Sequence, residues 1–410
     1  MAVSMRVPSS FGALSNPGER TRMRKSVLGA TAVATAFTLA LAACGSDNSS
    51  SSSGGATTAA GAATTAAGAA TTAAGAATTA AGAATGKIGV ILPDSKSSVR
   101  WETADRTYLG DAFKAAGVQY DIQNAEGDKT KMATIADQMI TSGVKVLMIV
   151  NLDSPSGAAI EQKAAAAGVK TIDYDRLTLG GSAAVYVSFD NVKVGELQGD
   201  GLIKCLTDKK VANPNIVELN GSPTDNNATL FKQGYDSKLT PKFAAGWVKV
   251  DDQSVPDWDN QKGGQIFEQM LTKASGKIDG VLAANDGLGN AAIAVLKKNN
   301  LQIPVTGQDA TTQGLQNILA GDQCMTVYKA VKKEADAAAA AAIALLKGAT
   351  PQTTGQVDDT QTKKKVAAIL ATPVPIYKDN VKDVIADNFV KKEDVCTADF
   401  AKLCAAAGIS

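Results

Sequence analysis

The sequence predicts an α/β protein with two doubly wound parallel-sheet lobes, preceded by a long segment that does not fold. Three observations predict this class. Apolar runs of four to seven residues alternate with longer amphipathic patterns, this alternation starts afresh near Val192, and the residues before Lys87 have low complexity. Short buried strands that alternate with helices are typical of βαβ units. Two such series in tandem predict two lobes with a cleft between them.

The first series runs from Lys87 to Ser188. Its first segment, KIGVIL, is apolar enough for a strand buried on both faces, and an amphipathic helical pattern follows it. Along this series we expect strands at 87–92, 119–123, 144–150, 169–174 and 185–188, and helices at 102–116, 131–142 and 156–167.

The second series runs from Val192 to Leu346 and ends in an alanine-rich helix. Short apolar runs alternate with longer amphipathic patterns in this series too, so a second parallel sheet is expected. We expect helices at 192–206, 229–239, 260–274, 291–298 and 332–346, and strands at 216–219, 247–250, 280–284, 305–307 and 325–328.

The N-terminus has the order of a secretory signal peptide. Four cations between Arg20 and Lys25 precede an apolar run at 27–42, and Leu41-Ala-Ala precedes Cys44. A basic region, an apolar region and small residues before a cleavage site define such a signal. A membrane-spanning helix is the alternative, but 16 apolar residues fall short of the about 20 that cross a bilayer. Cys44 in this setting resembles the lipobox cysteine of bacterial lipoproteins, which is acylated, so we expect residues 1–43 to be removed.

Residues 44–86 are predicted to be a disordered tether. A serine run is followed by the unit Gly-Ala-Ala-Thr-Thr-Ala-Ala, which begins at Gly61, Gly68, Gly75 and, cut short, Gly82. The seven-residue period suggests a coiled coil, but no position carries a large apolar side chain. Such a composition buries too little apolar surface to fold. As a flexible coil of about forty residues it spans roughly 35 Å, which holds a domain near a membrane.

Four cysteines follow Cys44, an even number in a compartment that permits disulfides. Cys396 and Cys404 are close in sequence and are expected to pair locally, which leaves Cys205 and Cys324 as the second pair. Buried free thiols are the alternative.

Composition excludes several functional classes. The chain has no histidine, so it has no Ser-His-Asp or Cys-His catalytic site and no histidine-bound metal. It has no glycine-rich phosphate loop followed by lysine, and we expect no metal and no cofactor. Removal of residues 1–43 changes the formal net charge from +1 to −3, and no basic face indicates nucleic acid.

Polar side chains follow almost every predicted strand. In parallel sheets a ligand binds outside the carboxyl ends of the strands, where these side chains lie. Helix capping explains any one of them singly. Together they form a set of donors and acceptors suited to a neutral, polyhydroxylated ligand, and Trp101 and Trp258 offer flat apolar faces, although packing is the commoner role of tryptophan. The set includes Asp94, Arg100, Asn151, Asp153, Asp175, Arg176, Asp225, Asn226, Asn227, Asn285, Asp286, Gln308, Asp309 and Lys329.

Eight segments carry a resemblance that covers the chain in order from Lys87 to about Val395. They resemble the periplasmic xylose-binding proteins, which belong to the ribose/galactose-type sugar-binding proteins that serve ABC importers. The segments are Lys87-Ile-Gly-Val, Arg100-Trp101, Tyr174-Asp-Arg176, Ser188-Phe-Asp-Asn191 with Val194-Gly-Glu-Leu-Gln198, Gly221-Ser-Pro-Thr-Asp-Asn-Asn-Ala228, Asn285-Asp286, Gly307-Gln-Asp-Ala310 and Met325-Thr-Val-Tyr-Lys329.

The resemblance implies a set of sugar contacts in the interlobe cleft. Aromatic rings lie against the two faces of the sugar in that family, and Trp101 and Trp258 match those rings. Arg106 is a reserve candidate because it is close to Arg100 in sequence. The polar contacts implied are Arg100, Asp175, Arg176, Asn226 or Asn227, Asn285, Asp309 and Lys329.

The resemblance also implies a type I periplasmic binding protein fold, in which a three-strand hinge joins the lobes. Lobe one is then residues 87–191 with 330–371, and lobe two is residues 192–329 with 372–410. Pro373 and Pro375 suit the third crossing because proline cannot continue regular hydrogen bonding. Hinge closure would trap the ligand.

The expected function is that of an extracytoplasmic lipoprotein, a monomer, that gives a monosaccharide to an ABC permease. D-xylose is the expected ligand, and glucose, galactose and arabinose are the next candidates. A sensor that presents bound sugar to a receptor or kinase is one alternative. An enzyme that uses an acidic pair such as Asp175 and Asp309 is another.

Replacement of Cys44 tests the anchor. If Cys44 is acylated, Cys44→Ser releases the protein from the membrane into the soluble or secreted fraction, while Ser46→Ala leaves it attached. The measurement is immunodetection in separated membrane and soluble fractions. Equal membrane association of the two variants would contradict lipidation.

Overall fold

The computed structural model describes residues 86–409. The predicted signal peptide and Cys44 lie outside these residues, as does the predicted tether except Gly86. Within the described range no helix is both long and apolar enough to cross a membrane.

Strands and helices alternate along most of the described chain. A π-helical turn at Trp101–Asp105 leads into the first helix, and a 3-10 turn lies at Pro256–Trp258. The strands are β1 (Lys87–Leu92), β2 (Gln119–Asn124), β3 (Val144–Ile149), β4 (Lys170–Tyr174), β5 (Val185–Phe189), β6 (Asn215–Asn220), β7 (Val248–Ser254), β8 (Gly280–Ala283), β9 (Thr326–Tyr328), β10 (Gly355–Asp359), β11 (Lys364–Ala371) and β12 (Val374–Ile376). The helices are α1 (Arg106–Ala115), α2 (Lys129–Thr141), α3 (Ser154–Ala166), α4 (Asn191–Asp208), α5 (Asn226–Ala244), α6 (Asn260–Lys273), α7 (Asp286–Lys298), α8 (Thr312–Ala320), α9 (Val331–Leu346), α10 (Val381–Ala386), α11 (Lys392–Val395) and α12 (Ala401–Ala406).

The first sheet has seven strands in the order β10-β11-β5-β4-β3-β1-β2. Every neighbouring pair is parallel except β10 with β11. Side chains alternate between the two faces of a strand, so Ile88 and Val90 pack under α1 and α9 while Ile91 packs under α2 and α3. Burial on both faces explains the continuous apolar run of β1. Full burial of each such side chain stabilises the fold by about 1.5–3 kcal/mol.

The second sheet is β7-β6-β8, and β9 pairs with β12 beside it. Its core includes residues of α4, α5, α6 and α7. α4 and α5 touch through their backbones, because a Cβ atom at Gly195 would overlap the Phe231 carbonyl and one at Gly234 would overlap the Val192 carbonyl. Only glycine permits this approach, which brings α5 and its N-terminus toward the first sheet.

Three connections cross between the sheets: β5 to α4, β9 to α9, and β11 to β12. The structure therefore has the expected α/β class with parallel sheets. The lobe boundaries at residues 191, 330 and 371 stay a prediction, which this connectivity supports.

Some predicted elements differ from the structure. The strand expected at 305–307 is a single bridge between Val281 and Val305, since Pro304 just before it has no N–H to extend the ladder. α7 begins at Asp286 rather than at 291, because Asn285 caps it. The helix α8, the hairpin β10–β11, strand β12 and the short helices α10, α11 and α12 had no clear sequence signal.

The structure places two cysteine pairs in disulfide contact. Cys205 of α4 lies with Cys324, which precedes β9, at a Cα–Cα distance of 6.4 Å. Cys396 lies with Cys404 of α12 at 5.8 Å. The first pair joins segments 119 residues apart, whereas the second spans 8 residues.

Removal of the two pairs should have unequal effects on stability. Loop-closure entropy predicts a loss of about 5 kcal/mol for Cys205→Ala with Cys324→Ala, and about 2.5 kcal/mol for Cys396→Ala with Cys404→Ala. Urea unfolding of both double variants measures the difference. Equal losses would contradict the entropic account of these two bonds.

Candidate functional site

A cavity lies at the carboxyl ends of the strands of both sheets. Nine of the predicted site residues line it, and they come from the first sheet, the second sheet and the segments that connect them. The nine are Arg100, Trp101, Asp175, Arg176, Asn227, Trp258, Asn285, Asp309 and Lys329.

Asn226 and Arg106 are not in this cavity. Asn226 is the first residue of α5 and lines a separate groove with Tyr186 and Leu230. Successive helical residues point about 100° apart, so Asn227 faces the cavity while Asn226 faces this groove. The Nε of Arg106 donates to Glu102 at 2.6 Å and its Nη1 donates to the Ile122 carbonyl at 2.7 Å.

Five further residues line the cavity. Ser97, Ser98 and Phe231 were not predicted, whereas Asp225 and Gln308 belong to the predicted polar set after the strands but not to the contacts implied by the resemblance. Phe231 could have been predicted from the sequence, because it lies four residues after Asn227 and therefore on the same face of the helix. Asp225 and Asn285 are helix caps and cavity residues at once, since their carboxylate and amide oxygens accept from Asn227 N and Leu288 N. The sequence alone could not show whether these residues only cap a helix or also line the cavity.

Arg100 is held by three buried carboxylates. Its Nε and Nη2 donate to Asp105 at 2.9 and 2.8 Å, Nη1 donates to Asp175 at 2.9 Å, and Nη2 donates to Glu334 at 2.6 Å. Burial opposes the guanidinium charge, but these carboxylates raise the pKa of Arg100 well above its usual value. The side chain is therefore a fixed cation with four of its five N–H groups committed.

Glu334 lies on α9 and is buried. Burial raises the pKa of its carboxyl well above the usual value, and Asp175 and Asp105 act in the same direction while Arg100 opposes them. The carboxyl thus keeps its proton at pH values where an exposed glutamate has lost it.

Asp175 is the centre of the hydrogen-bond network. Its backbone has φ 62°, a left-handed conformation that costs a non-glycine residue about 1–3 kcal/mol. Tyr186, Ser188 and Asn227 donate to its carbonyl at 2.8–2.9 Å and hold it there. Burial would raise the pKa of the Asp175 carboxyl, but Lys329, Arg100 and Arg176 lower it. The carboxylate is therefore charged and faces three cations.

Lys329 follows β9 and is also buried. Its Nζ lies 3.2 Å from Asp309 Oδ1 and 3.9 Å from Asp175 Oδ2, as ion pairs. Within the described residues Asp309 Oδ1 accepts no hydrogen bond of good geometry. The two ion pairs leave at least one of the three N–H groups of the ammonium without an acceptor. Both groups line the cavity with hydrogen-bonding capacity unused.

Asp286 fixes the turn that carries Asp309. Its carboxylate accepts from Thr311 N, Gln323 Nε2 and Thr326 Oγ1, each at 2.8 Å. Burial raises the pKa of Asp286 to about 7 in spite of these donors. Asp309 has φ 97° in this turn, so the donors that converge on Asp286 hold a strained backbone in place.

The two predicted ring residues are buried at the cavity wall. Trp101 Nε1 donates to Ser97 Oγ at 3.1 Å, and the Arg100 guanidinium lies 4.4 Å from the centre of its ring. Trp258 Nε1 donates at 3.0 Å to Asp225 Oδ2, which also pairs with Arg176 Nε at 3.0 Å. Asp225 thus joins the second sheet's tryptophan to an arginine that follows β4 of the first sheet.

Comparison with known proteins identifies the class to which this fold and cavity belong. Residues 88–350 match the periplasmic binding protein domain, so the chain belongs to that family of binding proteins. Its relatives of this kind are transport proteins that bind a substrate and do not transform it.

Particular relatives are binding proteins named for D-xylose and for multiple sugars. The D-xylose-binding periplasmic protein of Escherichia coli (strain K12) is 35% identical over 313 residues, which cover 75% of this chain and 92% of that protein. The multiple sugar-binding periplasmic receptor ChvE of Rhizobium radiobacter is 32% identical over 326 residues, again 75% and 92%. A carbohydrate transporter solute binding protein from Chloroflexus aurantiacus in complex with D-glucose superposes with a TM-score of 0.67 at 30% identity, covering 75% of this chain and 97% of that one.

The position of Trp258 depends on Gly221. A Cβ atom at Gly221 would overlap the indole of Trp258, so Gly221→Ala should displace the ring and lower stability by about 1–3 kcal/mol. The matched control is Gly264→Ala on α6, where the nearest atom is Ala291 Cβ at an ordinary 3.8 Å. Near-ultraviolet circular dichroism and tryptophan emission measure the displacement. Identical spectra for the two variants would contradict this packing.

Proposed function

We propose that this protein captures a monosaccharide, D-xylose above other aldoses, in the cavity between its sheets and delivers it to an ABC importer. The observation that carries the proposal is that Asp309 Oδ1 and the Lys329 ammonium, although ion-paired with each other, keep hydrogen-bonding capacity toward the cavity. A sugar hydroxyl both donates and accepts, so one hydroxyl can serve this pair of groups.

The charge of the cavity wall favours a neutral ligand. The three cations, Arg100, Arg176 and Lys329, each pair with at least one buried carboxylate. A phosphate or carboxylate on the ligand would have to displace those partners or lie beside them. Hydroxyl groups require neither. The relatives named for D-xylose, and the neighbour in complex with D-glucose, support the same class of ligand.

The flat apolar surfaces fit the ring of a sugar. Trp101, Trp258 and Phe231 line the same cavity as the charged groups. The C–H faces of a pyranose pack on aromatic rings while its hydroxyls reach the polar wall. The order of affinity among the aldoses stays a proposal, because an epimer changes only one or two hydrogen bonds.

Delivery and attachment complete the proposal. Closure about the three connections would enclose the sugar, and a permease would recognise the closed form. Lipidation at Cys44 would keep the protein outside the cell at the membrane, within reach of that permease. Presentation of bound sugar to a receptor is a second candidate, which the receptor name of the Rhizobium radiobacter relative favours.

Calorimetry with D-xylose, D-glucose, D-galactose and L-arabinose tests the proposal. We expect saturable one-to-one binding, tightest for D-xylose. Asp309→Ala should weaken it by more than one hydrogen bond, about 3 kcal/mol or a hundredfold, because it leaves the buried Lys329 ammonium without its nearest partner.

Asp208→Ala is the control, since it breaks an exposed pair with Lys204. It should bind D-xylose as the unchanged protein does. An unchanged protein that binds none of these sugars would contradict the proposed function. Normal binding by Asp309→Ala would show that the sugar lies elsewhere.

A further inference from the structure

Three buried glutamines lie near the cavity side of the second sheet, and they differ in their hydrogen bonds. Gln198 Nε2 donates to the carbonyls of Ala283 and Ala284 at 3.2 and 3.0 Å. Gln323 Nε2 donates to Asp286 at 2.8 Å. The side chain of Gln308 makes no hydrogen bond with any other residue of 86–409, although it is only 3% exposed. It is also the one of the three that lines the cavity.

An uncommitted buried amide is costly. Burial of such a group without a partner costs about 1–3 kcal/mol in proteins. Gln198 and Gln323 avoid that cost on the donor side, since the Nε2 of each donates to backbone carbonyls, whereas in all three glutamines Oε1 accepts no hydrogen bond from the described residues. The amide of Gln308 faces the cavity instead, so a molecule that enters the cavity is the source of its missing partner.

The backbone presents this amide rigidly. The Gln308 carbonyl accepts from Asp286 N at 2.9 Å, and the next residue, Asp309, donates from its N–H to the Val327 carbonyl at 2.8 Å. The side chain therefore starts from a fixed point beside the Asp309 carboxylate. A fixed donor and acceptor discriminates between ligands better than a mobile one.

We propose that Gln308 is a specificity-determining residue whose amide binds one particular hydroxyl of the sugar. The inference rests on the proposed function and deepens it, since it assigns discrimination among aldoses to a neutral group. An amide presents one donor group and one acceptor, which matches a hydroxyl that donates and accepts. A sugar without that hydroxyl leaves the amide unpaired again and binds less tightly.

The test combines one side-chain change with single deletions on the sugar. Calorimetry measures the full chain and its Gln308→Leu variant with D-xylose and with its 1-deoxy, 2-deoxy, 3-deoxy and 4-deoxy derivatives. Gln308→Leu keeps an apolar body of similar size and removes the amide. Gln308→Ala is the second variant, used if the leucine disturbs folding, and thermal unfolding checks both. Gln302→Leu, at an exposed position, is the control.

We expect Gln308→Leu to bind D-xylose about tenfold or more weakly than the unchanged chain and Gln302→Leu to bind it normally. For one deoxy sugar the unchanged chain and Gln308→Leu should bind equally, because the lost amide and the lost hydroxyl are partners. The other three deoxy sugars should keep the tenfold difference between the two proteins.

A constant ratio between the two proteins for all five sugars would overturn the inference, since the amide would then contact a water molecule or only fill space. Normal D-xylose binding by Gln308→Leu would overturn it as well. If the unchanged chain binds no sugar at all, the proposed function itself fails, and this inference fails with it.

Discussion

Buried charge is the constraint on which the rest of this structure depends. Arg100, Arg176 and Lys329 are almost free of contact with water, and each is stable there only because a carboxylate lies beside it. The partners come from different elements. Arg176 follows β4 of the first sheet and pairs with Asp225, which follows β6 of the second, so neutralisation requires the two sheets to be in contact. The same pairs that stabilise the cations also bring the two halves of the cavity wall together.

The positions of two of these carboxylates depend in turn on a strained backbone conformation. Asp175 and Asp309 have positive φ values, and each is held by side chains that do not line the cavity. Tyr186 and Ser188 fix the Asp175 carbonyl, and Asp286 fixes the turn of Asp309 through Thr311. Strain of this kind persists only where surrounding structure determines it. The network behind the cavity is therefore part of the site, because it aims the groups that the cavity presents.

The α/β class was predictable because parallel strands buried on both faces leave continuous apolar runs, as in β1. The hairpin β10–β11 was not, because the polar segment Gly355–Asp359 forms a strand only by pairing with β11. Polar residues after strands indicated most of the residues that line the cavity. Asn226 was an exception, because the direction of its side chain depends on its position around the turn of α5. Glu334 was invisible as a site residue, because its partner Arg100 lies 234 residues away in the chain. Such pairings follow from the folded topology and leave no local pattern.

The central claim is that the ligand binds between the two sheets and is enclosed by their contact. Solution X-ray scattering tests it most directly, with the protein measured without sugar and then with saturating D-xylose. The account predicts a smaller radius of gyration with sugar, and a scattering difference that matches closure of the sheets to the separation seen here. Saturable binding of D-xylose with no change in scattering would contradict it.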